Sequence, residues 1–415
     1  MLVGIVAIAI FASLTSYSSV LREGSYIGLN VFLTLIQILI DKVTQSRPNL
    51  DVTFFSDVLQ RGDIQKVSRD FKKENRSIED VGAGGTGTAR AFVEVQFSNG
   101  KKSKYFVKFP APELFQRTFL TVFKVYANEL NFYANVRDHV PDDLTAKAVY
   151  VRKKNTDFVL ILEDMSSKGA IFPTILDHYP RSRVELVLRN LARLHAANWN
   201  NFPSGVWTDE WSGARNGQGR TRPPFLKIVA NSTLKKALEW YPNCMDASVV
   251  SSYRTFIENY PILRKFWSTS APLTMVHGDC HIGNMSFFKN DDSKMWFFDM
   301  QCVGAENCMR DIAYHLLSCF NDGELTDEIE EELIQYYLDH LNKHLPESET
   351  GMSFEEAYFQ YRLHSFWCLT AFVISAGASD LMAGAVSRVV LPRISRNMLR
   401  IEASGALNDV LDKYS

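Results

Sequence analysis

Alternating apolar and polar positions become regular beyond residue 78. Ile78 to Val81 leads into a cluster of glycines, and Ala89 to Phe97 then reads as a strand around Phe92, Val93, Val95 and Phe97. Asn99-Gly100 is a hairpin-turn signal, Tyr105 to Phe109 is the returning strand, and Pro110 and Pro112 end it. Residues 113–138 read as one long helix, with Leu114, Phe119, Val122, Phe123 and Leu130 on its apolar stripe. Strands are predicted at 147–152 and 157–163, the second nearly all apolar and therefore interior to a sheet. After Glu163-Asp164-Met165 the pattern turns helical. Val184, Val187, Leu191 and Leu194 define a helix over 182–198, and only 273–276 and 295–298 look strand-like from there on. The chain thus divides into a small strand-rich lobe, 51–165, and a larger helical lobe, 166–415. That is an α+β, bilobal architecture.

Residues 1–50 form a hydrophobic N-terminal extension that this layout does not need. Residues 2–12 and 26–40 are both apolar, and each run is shorter than the ~20 residues that cross a bilayer. The first lacks the basic flank and small-residue cleavage site of a secretory signal. The second reads equally well as a helix docked on the body. Association of residues 1–40 with a membrane stays open on this pattern, around a cytoplasmic body.

Composition narrows the class. The 415 residues suit two lobes, and 46% hydrophobic with 22% charged residues is that of a globular protein. A net charge of -2 without a basic run gives no support to a nucleic-acid partner. Six scattered cysteines with no CxxC pair read as buried free thiols.

Three motifs carry chemistry. Gly82, Gly84 and Gly87, with Gly85 between them, have GxGxxG spacing. A strand follows them, whereas a dinucleotide fingerprint must open a helix, so the pattern fits a loop lying over nucleotide phosphates. Lys108 on the returning strand is then placed to neutralise those phosphates, and Glu129 on the following helix is the best partner for it. The third motif, HGDCHIGN at 277–284, is the most specific. Phosphoryl transfer needs a carboxylate for the acceptor's hydroxyl proton and oxygen ligands for magnesium. His277, Asp279 and Asn284 have the spacing of a kinase catalytic loop, and Asp299 ends an apolar strand fifteen residues after Asn284. Asp279 is the candidate base, and Asn284 and Asp299 are the candidate metal ligands. His277 braces the loop, Asp311 is either a helix N-terminal acid or a loop anchor, and His195 is a core residue. Glu163 and Met165, at the junction of the lobes, offer main-chain groups to an adenine. Asn284-Met285-Ser286 is also a glycosylation sequon, and a glycan on a metal ligand would abolish activity, which argues against secretion.

HGDCHIGNM, WFFDMQ and MRDIAYHLL resemble the aminoglycoside-phosphotransferase and choline-kinase superfamily. LILEDM and LARLHAANW make the ecdysteroid-kinase-like group the nearest likeness, over about residues 78–400. The resemblance implies a protein-kinase-like fold, ATP and Mg2+ as cofactors, Asp279 as base, and phosphorylation of a small-molecule hydroxyl acceptor such as a steroid, a xenobiotic or an amino alcohol. Met300-Gln301 after Asp299, and the lack of an Ala-Pro-Glu segment, argue against a protein kinase. A catalytically silent, ligand-binding relative remains an alternative.

Overall fold

The computed structural model describes residues 19–43, 48–70, 88–201, 223–270, 272–321, 323–378, 382 and 384–414. The smaller lobe is built on β1 (Ile64–Arg69), β2 (Thr88–Phe97), β3 (Lys102–Pro110), β4 (Ala148–Lys154) and β5 (Asp157–Glu163). They form one antiparallel sheet in the order β1-β2-β3-β5-β4. The turn signal holds: Gly100 sits at φ 78°, and its N–H donates to the Phe97 carbonyl. Period-2 alternation gives β2 two faces. Ala91, Val93, Val95 and Phe97 are buried with Phe55 of a short helix, Val52–Leu59, in a small core of their own. Thr88, Arg90 and Phe92 lie on the other face, toward the second lobe. Strand β5 is buried from Asp157 to Leu162 and interior to the sheet. Strand β1 and the helix before it were not foreseen, because their short runs carry little periodic signal.

The helix expected over 113–138 is broken. Leu114–Val122 and Val125–Asn131 are separate helices, and a π turn (Phe132–Val136) and a 3-10 turn follow. Lys124 takes a left-handed conformation, φ 60°, which no α-helix can continue through. The apolar stripe runs on regardless, since Phe119 and Phe123 pack with ring centroids 4.1 Å apart.

We number the helices α1 (Ser19–Val43), α2 (Val52–Leu59), α3 (Leu114–Val122), α4 (Val125–Asn131), α5 (Arg181–Ala196) and α6 (Pro223–Trp240). They continue as α7 (Ala247–Glu258), α8 (Tyr260–Ser270), α9 (Met309–Cys319), α10 (Asp327–His344), α11 (Phe354–Gly377), α12 (Gly384–Arg400) and α13 (Ala403–Tyr414). Helix α11 runs through the larger lobe against α6, α9 and α12, and its segment from Tyr361 to Cys368 is almost wholly buried. That all-round burial explains its apolar sequence.

Residues 26–40 fall within α1, which docks on α3 of the small lobe and α6 of the large one. Its buried Asp41 accepts hydrogen bonds from Thr156 N–H (3.1 Å), the Thr156 hydroxyl (2.5 Å) and Asn155 Nδ2 (3.1 Å) at the β4–β5 turn. Arg117 of α3 lies 3.8 Å from the same carboxylate. Among the described residues no helix is long and apolar enough to cross a membrane.

Three short strands, β6 (Ala170–Ile171), β8 (Met285–Phe288) and β9 (Asp291–Phe297), form a second sheet, and β7 (Thr274–Val276) pairs with β10 (Gly304–Glu306). These strands hold the loops of the candidate site.

Candidate active site

Strand β3 carries Lys108 into the space between the lobes. Its Nζ donates to Glu129 Oε1 at 2.6 Å and to Asp299 Oδ1 at 2.9 Å, so one ammonium ties α4 to the far lobe. Burial works against the Lys108 charge, but the carboxylates of Asp299 and Glu129 outweigh it and raise its pKa. Burial also drives the Glu129 carboxyl upward, with the Asp299 charge adding to it against the pull of Lys108. Both shifts express one fact: two carboxylates share one cation.

The loop from 277 to 284 hangs between β7 and β8. Gly278 turns it at φ 76°, and a Cβ there would lie 2.2 Å from the Cys302 carbonyl oxygen, so only glycine fits. Asp311, in the first turn of α9, accepts the N–H groups of His277 (2.6 Å) and Gly278 (2.8 Å). His195 Nε2 stands 3.2 Å from Asp311, and its Nδ1 accepts from Tyr337 at 2.8 Å. Burial pushes the Asp311 carboxyl up, but these contacts, His195 foremost, hold it below the usual range. Asp311 is therefore both a helix acid and the loop's anchor, and His195 is a core residue that steadies it. His277 donates from Nε2 to the Phe298 carbonyl at 2.7 Å, tying the loop to the turn that carries Asp299.

Asp279 accepts the Tyr314 hydroxyl on Oδ1 (2.7 Å) and Asn284 Nδ2 on Oδ2 (3.1 Å). Burial opposes its charge, while His281 at 3.9 Å and the Tyr314 bond favour it, and the net pKa is lowered. Asp279 is held ionised, the state a base requires. The Asn284 amide spends its Nδ2 on the Asp279 carbonyl and carboxylate, which leaves its Oδ1 as an oxygen donor. Asp299 adopts a left-handed backbone, φ 57°. Strained conformations of this kind persist where the surroundings over-determine them.

Lys108, Glu129, Glu163, Met165, Asn284 and Asp299 line a single cavity of about 240 Å³ between the lobes. Phe106 from β3 and Phe298 are on its walls, with Leu162 and Glu163 at the β5 terminus. Asp279 lies next to it, one hydrogen bond from Asn284. Gly82, Gly84, Gly85 and Gly87 lie outside the described residues, although the chain re-enters at Thr88 on the cavity wall. Among the described residues no three His, Cys, Asp or Glu side chains group as a metal cage. Asn284 and Asp299 are two oxygen donors facing one cavity, and such a pair suits a hard cation that takes its other ligands from phosphates and water.

The family model of the ecdysteroid kinase-like family matches residues 86–204 and 220–349, more than half of the chain. The chain belongs to that family. No curated protein matches the sequence. Solved structures similar to this ecdysteroid kinase-like chain include an ethanolamine kinase from Plasmodium vivax, at 16% identity and a TM-score of 0.42, covering 78% of this chain and 79% of that one. A choline kinase from Cryptosporidium parvum is 12% identical at a TM-score of 0.42, covering 84% and 90%. An aminoglycoside phosphotransferase from Streptomyces rimosus, solved with ADP and streptomycin, is 12% identical at a TM-score of 0.41, covering 72% and 95%. The antiparallel sheet of the small lobe, set on a larger helical lobe, is the α+β, bilobal, protein-kinase-like fold that membership of this family implies.

Three side chains that the motif reading left out reach the site. Tyr314 and Gln301 both donate to Asp279, Gln301 at 3.4 Å, and Arg90 lines the cavity opposite Lys108. Tyr314 could have been found from its position three residues after Asp311, which puts both on one face of α9. Arg90 could have been found by carrying the strand alternation outward from Phe92.

Proposed function

We propose that this ecdysteroid kinase-like chain is an ATP-dependent small-molecule kinase, transferring the γ-phosphoryl group to a hydroxyl of a steroid-like or xenobiotic alcohol. The observation that supports this best is the bond of Lys108 to both Glu129 and Asp299 on the wall of a cavity that Asn284 shares. In this reading the adenine lies between Phe106 and Phe298, against main-chain groups of Glu163 and Met165. Lys108, steadied by Glu129, meets the phosphates. Asn284 through Oδ1, together with Asp299, would hold Mg2+, whose charge offsets that of the phosphates. Asp279 orients the acceptor hydroxyl and receives its proton through a carboxylate oxygen.

The test is an ATP-consumption screen over steroids, hydroxylated lipids and amino alcohols, run on the wild type, Asp279→Ala and Asp299→Ala. Acceptor-dependent turnover in the wild type should fall by at least about a thousandfold in both variants. Equal residual turnover in all three proteins would remove the kinase reading. Unchanged Mg-ATP affinity in Asp299→Ala would remove the metal assignment alone.

A further inference from the structure

We propose that Arg90 is a second phosphate-binding cation, grasping the nucleotide's polyphosphate from β2 directly opposite Lys108. This rests on the nucleotide reading of the cavity and adds to it a residue that no motif marks.

The register puts the two side chains together. Arg90 and Lys108 are Cα partners in the antiparallel β2–β3 ladder, and directly opposed residues project from the same face. On that face Thr88, Arg90 and Phe92 of β2, with Phe106 and Lys108 of β3, all line the cavity. The opposite face of β2 is where packing requires apolar groups, and Ala91, Val93 and Val95 supply them. Core packing therefore gives no reason for a guanidinium at position 90.

The ladder also sets the depth. Phe92, Phe106 and Leu162 form one rung, next to Glu163 at the lobe junction, and the Phe92 and Phe106 rings lie 5.1 Å apart. Arg90 and Lys108 form the rung two residues farther along each strand, about 6–7 Å away. A nucleotide whose base sits at the aromatic rung puts its phosphates at the cationic one.

Charge shows what Arg90 adds for an anionic ligand. Like charges directly opposed across a ladder repel. Glu129 and Asp299 offset Lys108 and the field on Arg90, but two carboxylates against two cations leave nothing over for a polyphosphate of about four negative charges except what a divalent cation brings. With Arg90 in place the balance falls one charge closer to neutral. Burial lowers the Arg90 pKa against the opposing pull of the Asp299 carboxylate, but the guanidinium keeps its charge, so Arg90 meets a phosphate already partly stripped of water. Its planar fork grips two phosphate oxygens at once, which an ammonium cannot do.

Calorimetric affinities for Mg-ATP, adenosine and inorganic tripolyphosphate, measured on the full chain and on Arg90→Met and Arg90→Lys, test the proposal. Arg90→Met should weaken Mg-ATP and tripolyphosphate by about tenfold to a hundredfold and leave adenosine within about twofold. Arg90→Lys should recover part of that loss. Mg-ATP affinity unchanged in Arg90→Met would overturn the role of Arg90 and leave the kinase reading standing. An equal loss for adenosine and Mg-ATP would overturn it too, because that is the mark of a disturbed sheet. If the wild type bound tripolyphosphate through Arg90 but neither nucleotide nor nucleoside, the anion site would stand and the kinase reading would fall. Binding of none of the three would end both.

Discussion

Glu129 and Asp311 are both buried and both on helices, and each holds a different part of the site. Asp311 receives two backbone N–H groups and the His195 ring, donors that the fold holds in place. Its pKa falls in spite of burial. Glu129 has Lys108, which it shares with Asp299, and burial wins: its pKa rises. The difference separates two ways of building a site. The 277–284 loop is held by donors and acceptors that the protein itself supplies, before any ligand arrives. On the lysine side two carboxylates share one ammonium, and the electrostatics there are completed by what binds.

The most severe test of that contrast is Asp311→Ala. It leaves the N–H groups of His277 and Gly278 without an acceptor in a closed interior, and it strips His195 of one of its two partners. A loss of about 3–5 kcal/mol in denaturant unfolding is expected. A loss below about 1 kcal/mol would mean that the loop does not depend on its anchor.

Acid should act on the same lobe. His315 lies on α9 one turn beyond Asp311, and His364 faces it from α11; burial lowers their pKa to about 4 and about 3 from 6.5. Both are neutral in the folded protein and gain a proton on unfolding. Their contribution is therefore complete above pH 6.5 and is lost as the pH falls from there toward 4 and then 3. Between pH 7.5 and 5.5 stability should drop by about 3 kcal/mol for the two together. The pair His315→Gln and His364→Gln should flatten that slope.

Gly278→Ala comes next. The Cβ would meet the Cys302 carbonyl at 2.2 Å from a backbone at φ 76°. About 2 kcal/mol of stability should go, together with most turnover, since Asp279 is the next residue. A variant as stable and active as the wild type would show a loop softer than its hydrogen bonds suggest.

How much of this could be read from the sequence also differs between the two sides. His277, Asp279, Asn284 and Asp299 are close together in the chain, and their chemistry dictates their spacing. Lys108 and Glu129 were readable only through the strand and helix that carry them. The break at Lys124 escaped because neither glycine nor proline marks it and the apolar stripe continues across it. Tyr314 and Arg90 escaped for another reason: each meets the site through a fold-dependent neighbour, a helix turn in one case and a strand register in the other. Phe372 of α11 escaped in the same way, since its ring meets that of Tyr314, 5.4 Å away, only through the packing of two helices.

The smallest effect on stability should come from Glu129→Gln, and it bears most directly on the contrast. The amide keeps the shape and can still accept from Lys108, while one of two competing carboxylate charges disappears. Because burial already favours the uncharged form, unfolding stability should change by less than about 1 kcal/mol. Lys108 then turns more fully to Asp299, 2.9 Å away, and is less free to meet phosphates. Mg-ATP affinity should weaken by about threefold to tenfold while stability hardly moves. The reverse result, a large loss of stability with affinity intact, would make Glu129 a second Asp311 and erase the distinction between the two halves of the site.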